Sequence, residues 1–143
     1  MSLLEQVKDD VSAAMKSGDK ERVQALRLVA NELQKAAKDA SGDDVEVLQR
    51  ERKRRLEAAS AYRDAGREDL AAMEVREAEI IESYMPEQIS DSDLHAIVGD
   101  AVAELGASSP KEMGKVMAMV MPQVKGRADG KRVSAAVKET LTP

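Results

Sequence analysis

Cysteine, phenylalanine and tryptophan are absent from the 143 residues, and there are only one histidine and two tyrosines. Without thiols there can be no disulfide, no thiolate nucleophile and no sulfur-rich metal site. With Tyr62 and Tyr84 as the only aromatics, the core must be assembled from Leu, Ile, Val, Met and Ala. That palette belongs to helical bundles and lacks the β-branched and aromatic enrichment of sheet proteins. Long apolar runs are missing as well. The N-terminal "MSLLEQVKDD" meets charge at Glu5 and does not read as a signal peptide, and "VMAMVM" is far too short to span a bilayer. Together these absences predict a soluble, cytoplasmic protein that does not engage a membrane.

Catalytic equipment is equally thin. The lone His95 flanks the apolar side of its helix, and no partnered nucleophile or phosphate-binding glycine motif accompanies it. Glu74 and Glu77 share a helical face, but without a histidine or a second acidic helix they do not make a metal site. The expectation is a chain that is not catalytic on its own and holds no metal and no small-molecule cofactor.

What is present is helix signal. Ser2 and Glu5 have capping-box spacing, Leu4, Val7, Val11 and Met15 keep helical period, and Gly18 stands where a helix ends. Asp19 caps a second helix whose face is Val23, Leu26, Ala30, Leu33 and Ala37, broken by "DASGDD". A third, at about 45 to 65, carries Val45, Leu48, Leu56, Ala59 and Tyr62 and ends at Gly66. A fourth, with Leu70, Met73, Ile80, Ile81 and Tyr84, stops at "MPEQIS" because the residue before proline avoids the helical region. Ser90 and Asp93 then resemble a capping box ahead of the stripe Leu94, Ile97, Val98, Ala101, Val102 and Leu105. In "SPKE", Ser109 caps, Pro110 opens and Glu112 reaches back to start a sixth helix running to about Met121. Asp129 caps a seventh, with Val133, Ala136, Val137 and Leu141 facing inward.

The predicted fold is therefore all-α: an N-terminal four-helix domain over 1–90 and a small three-helix domain over 91–143. Charge divides at the same place. Residues 1–90 hold 15 Lys and Arg against 20 Asp and Glu, residues 91–143 hold seven against seven, and 111–138 hold seven against two. A basic surface is thus expected on the last two helices and their connecting turn.

That turn, "VKGRADGKRV", supports two readings. Gly126 and Gly130 can take backbone angles closed to other residues, and Asp129 can cap the following helix, so the stretch can be punctuation alone. Alternatively Lys125, Arg127, Lys131 and Arg132 gather at a helix N-terminus, whose partial positive charge suits phosphate, although the Asp129 carboxylate occupies part of that field. With two tyrosines there is almost no platform on which to stack single-stranded bases, so any nucleic acid would be structured RNA recognised by shape and backbone.

Two further features have plainer readings. Arg50, Arg52, Lys53, Arg54 and Arg55 point around most of a helix circumference and predict a solvated surface. Met113, Met117 and Met121 recur every four residues as core filling, while Met119 falls off that stripe toward Lys115 and solvent.

The stretch "KEMGKVMAMVMPQVKGRADGKRV", together with "AASAYRDAGREDLAAMEVREAEIIESYMPEQIS" upstream, resembles the YqeY-like family over almost the whole chain. That family is similar to the C-terminal region of the B subunit of glutamyl/aspartyl-tRNA amidotransferase, the GatB/YqeY domain, which is understood to contact tRNA while the chemistry occurs elsewhere. Gly114, Lys115, Val120, Met121, Lys125, Gly126, Arg127, Ala128 and Val133 fit the shared tail pattern; Asp129 and Gly130 stand where the amidotransferase tail commonly has Asn-Pro. The resemblance implies a non-catalytic protein associated with tRNA or with the amidotransferase machinery, in a family filed among glutamine-dependent carbon–nitrogen ligases by similarity. The basic segment and the resemblance together make Lys115, Lys125, Gly126, Arg127, Lys131 and Arg132 the expected nucleic-acid-binding residues. A protein–protein adaptor that binds no nucleic acid is the alternative.

Overall fold

The computed structural model describes residues 1–40 and 42–142; Ser41, in the expected "DASGDD" break, and Pro143 lie outside it. The described residues form seven α-helices and no strand, as the all-α expectation requires. They are α1 (Leu3–Ser17), α2 (Lys20–Asp39), α3 (Asp44–Asp64), α4 (Glu68–Glu82), α5 (Asp91–Leu105), α6 (Met113–Val120) and α7 (Gly130–Leu141). Short 3-10 turns at Pro110–Glu112 and Met121–Gln123 bracket α6. The helices fall into two compact units, Met1–Met85 and the chain from Pro86 onward. Among the described residues no helix is long and apolar enough to cross a membrane.

Local chemistry sets the helix ends. Ser2 and Glu5 close a capping box on α1, and Asp43 and Glu46 close another on α3. Asp19 caps α2 by accepting from the Arg22 amide. On α5 only half of the expected box forms: Ser90 accepts from the Asp93 amide, but Asp93 is one methylene shorter than glutamate and makes no return bond. Ser109 and Glu112 do close a box, yet it starts the 3-10 turn and the α-helix begins one turn later, at Met113.

In the first unit, Val7, Leu26, Val29, Leu33, Val47, Leu48 and Ile81 are fully buried and form the core. Burying each such side chain contributes about 1.5–3 kcal/mol. Several expected core positions face water instead. Met15 is exposed and Ala14 takes its place inside; Ala37 is exposed where Val29 and Ala36 are buried. Along α3 and α4 the buried positions include the small Ala59, Ala71 and Ala78, and Leu56, Tyr62 and Met73 are turned outward. The Tyr84 hydroxyl donates to the Asp10 carboxylate of α1, and burial followed by this bond raises its pKa.

The basic run of α3 is only partly the solvated surface its spacing suggests: Lys53 and Arg54 are exposed, whereas Arg52 and Arg55 are turned toward α4. Glu51 is only 2% exposed and is held by Arg54 Nη1 at 2.8 Å and Arg55 Nη1 at 3.4 Å. Arg55 Nε also reaches α4, 3.2 Å from Glu77 Oε2 and 4.0 Å from Glu74 Oε2. Arg52 meets Glu82 at 3.3 Å. The acidic pair of α4 therefore faces a guanidinium, and α3 and α4 are joined by an ion-pair network. Burial, then the nearby Glu74 charge, raises the pKa of Glu77.

In the second unit, α5, α6 and α7 enclose Leu94, Val98, Val116, Val120, Val124, Val133 and Val137. All four inward residues expected on α7 are buried. Leu105 is exposed at the end of α5. Met113, Met117 and Met121 are half-buried against this core, and so is Met119, contrary to expectation, because the flexible thioether reaches the core from beside the main stripe.

Candidate functional site

Val120 ends α6, the Met121–Gln123 turn follows, and buried Val124 anchors the start of the basic loop. The amides of Arg127 and Ala128 return to the Val124 carbonyl at 2.8 and 3.2 Å, closing a tight turn. Gly126 sits inside it at φ 76°, a left-handed conformation that disfavours a Cβ. Gly130 differs from expectation: it is the first residue of α7, outside the positive-φ region. Asp129 caps α7 by accepting from the Arg132 amide at 2.8 Å, which satisfies one of the donors a phosphate could otherwise use.

The loop is fastened to the segment that leads into α5. The Ile89 amide donates to the Arg127 carbonyl at 2.9 Å, and Gln88 Nε2 donates to the Gly126 carbonyl at 2.8 Å. Arg127 Nε reaches back to the Glu87 carbonyl at 3.2 Å. Arg132 Nη2 donates both to the Ile89 carbonyl and to Asp91 Oδ1, each at 2.8 Å.

The six residues named from sequence thus divide by role. Gly126, Arg127 and Arg132 are brought together in a clasp around residues 87–91, and Arg132 is charge-paired there. Lys125 and Lys131 are exposed on either side of the Asp129 cap in sequence, and Lys115 is exposed on the first turn of α6. Lys115 lies one turn from Glu112, whose carboxyl is held below its ordinary range chiefly by the Ser108 amide, with the Ser109 amide and Lys115 adding to the effect. Among the described residues Arg127 uses Nε alone for side-chain hydrogen bonding, so its terminal nitrogens keep donor capacity.

Sequence reasoning missed the receiving half of this clasp. Gln88 and Asp91 stand about 40 positions from their partners, and nothing in "PEQISDS" marks them as such. Both ring nitrogens of His95 are engaged, Nδ1 with the Asp91 carbonyl at 2.8 Å and Nε2 with Glu139 Oε2 at 3.2 Å, which suits a structural tie better than a general base. Its pKa is raised first by the Asp91 carbonyl and then by the Glu139 carboxylate, and the ring ties α5 to α7.

A family profile described as "Yqey-like protein" matches residues 4–141. The chain is also similar to "Altered inheritance of mitochondria protein 41, mitochondrial" of Pyrenophora tritici-repentis, at 26% identity over 147 residues. That alignment covers 97% of this chain and 81% of that protein.

Proposed function

The chain belongs to the YqeY-like family, and on that premise we propose that it is a non-catalytic polyanion-docking protein whose second unit acts as a GatB/YqeY-type module. In this reading the organisation is four helices followed by a three-helix module over 91–143, and the ligand is the backbone of a structured RNA of the tRNA class. A role beside the tRNA-dependent amidotransferase and a cytoplasmic location belong to the same reading.

The observation that carries it is the exposure of Lys115, Lys125 and Lys131 on a segment with seven basic and two acidic side chains, in a chain of net charge -5. The clasp refines the site. Arg132 and the Arg127 Nε hold the turn in shape, and the lysines with the remaining Arg127 nitrogens meet phosphates. Three or four such contacts give modest, sequence-independent affinity that salt weakens.

The test is a filter-binding titration with total tRNA at about 100 mM salt. Lys115→Glu with Lys131→Glu is expected to weaken binding by tenfold or more, and Glu104→Gln, outside the basic segment, to leave it unchanged. Equal binding by the double variant and the wild type rejects this surface.

A further inference from the structure

The first unit contains a cleft of about 560 Å³ between the C-terminal end of α1 and the N-terminal half of α2. Its origin lies in the α2 sequence. One face of that helix, with Leu26, Val29, Ala30 and Leu33, is consumed by the core. A neighbouring face, at positions 20, 23, 24, 27, 28 and 31, also keeps helical spacing and lines the cleft.

The apolar floor is Met15, Val23 and Leu28; Met15 is 56% exposed and Leu28 41% exposed. Lys20 and Arg27 supply the charge, while Gln24 and Asn31 are neutral. Among the described residues lining the cleft none is acidic, although acids outnumber bases in residues 1–90. Asp19 and Glu21, beside Lys20 in sequence, line a separate recess with Arg22 and Arg76. Among the described residues the one hydrogen bond of the Arg27 side chain runs from Nη2 to Met15 Sδ, at 3.5 Å, and thioether sulfur is a weak acceptor that leaves the guanidinium available to a carboxylate.

We propose that this cleft docks an acidic amphipathic helix of a partner protein. Its length and spacing set the ligand's pattern. From Lys20 to Asn31 the helical rise is about 16 Å, enough for a partner of about three turns. Lys20 and Arg27 are two turns apart, about 10 Å. The partner therefore carries two carboxylates seven positions apart, flanking two or three apolar side chains that cover Met15, Val23 and Leu28. This site lies in the first unit and is independent of the polyanion surface of the second.

The probe is a displayed library of helix-forming 14-residue peptides, selected on the full chain and counter-selected on Leu28→Glu. Enriched peptides are expected to share an apolar i, i+4, i+7 pattern and acids spaced by seven. In fluorescence anisotropy, Arg27→Gln is expected to weaken an enriched peptide about tenfold, about 1.4 kcal/mol. Lys115→Glu with Lys131→Glu is expected to leave it bound. Should Leu28→Glu prove unfolded by circular dichroism, Arg27→Gln serves as the counter-selection. No enrichment, enrichment without acids, or binding indifferent to Arg27→Gln overturns the proposal. Saturable binding to phosphatidylglycerol vesicles that is lost in Arg27→Gln assigns the cleft to a lipid and overturns it. Self-association abolished by the same change assigns it to a second copy and overturns it equally.

Discussion

Arg132 and Asp91 are joined across 41 positions, Nη2 to Oδ1 at 2.8 Å, and the same nitrogen holds the Ile89 carbonyl at 2.8 Å. A cation that charge counting assigns to a ligand is thereby committed to the fold. Replacing Arg132 with Ala removes a charge-assisted bond to a main-chain oxygen of a buried residue and is expected to cost about 1.5–3 kcal/mol. Urea unfolding of Arg132→Ala, Asp91→Asn and the double variant checks it. A coupling indistinguishable from zero denies the pair its role.

Gly126→Ala forces a Cβ into the left-handed turn that presents its carbonyl to Gln88. A loss of about 1–2 kcal/mol is expected from backbone conformation. Gly130→Ala, at an ordinary helical position, is expected to be neutral or slightly stabilising. Thermal unfolding of the two variants side by side gives the comparison.

In the first unit, Arg55 lies within 4.0 Å of Glu51, Glu74 and Glu77, and Glu51 is buried. Arg55→Met leaves these carboxylates without their shared cation and is expected to destabilise by about 3 kcal/mol or more. Glu77 adds a pH signature. Its raised folded pKa means that its favourable contribution is complete below the unfolded carboxylate value and is lost as pH rises through the folded one. Glu77→Gln should therefore gain stability relative to wild type as pH rises from 4 toward 7. A constant difference across that range contradicts the assignment.

His95 is the single histidine of the sequence, so its titration can be read without interference. Its folded pKa is raised above the ordinary 6.5, first by the Asp91 carbonyl and then by Glu139. The resulting stabilisation is fully present below the unfolded value and disappears as pH rises through the folded one. An NMR titration is expected to place the midpoint above 6.5, and Glu139→Gln to lower it. A wild-type midpoint at or below 6.5 contradicts the contact.

The helices were legible in the sequence because caps and apolar period are local. Ser2 with Glu5, Asp19, Ser90 and Asp129 act where their spacing places them. What escaped was tertiary register. The spacing of Arg52 and Arg55 describes α3 alone, whereas their burial depends on which α4 carboxylates lie opposite. Met15 and Leu28 fit a helical pattern and still face an open cleft, because periodicity identifies an apolar face without saying what covers it. At the candidate site the basic residues were visible by composition. Their division into clasp and outward surface was not, since Gln88 and Asp91 become neighbours of the turn only in the folded unit.

The proposed docking of polyanions by the second unit is tested most directly by the salt dependence of tRNA binding, measured from about 50 to 200 mM KCl. With three or four phosphates engaged, log Kobs should fall against log salt with a slope of about 2–4, and each of Lys115→Ala and Lys131→Ala should reduce that slope by about 1. A slope near zero, or one that both substitutions leave intact, contradicts the account.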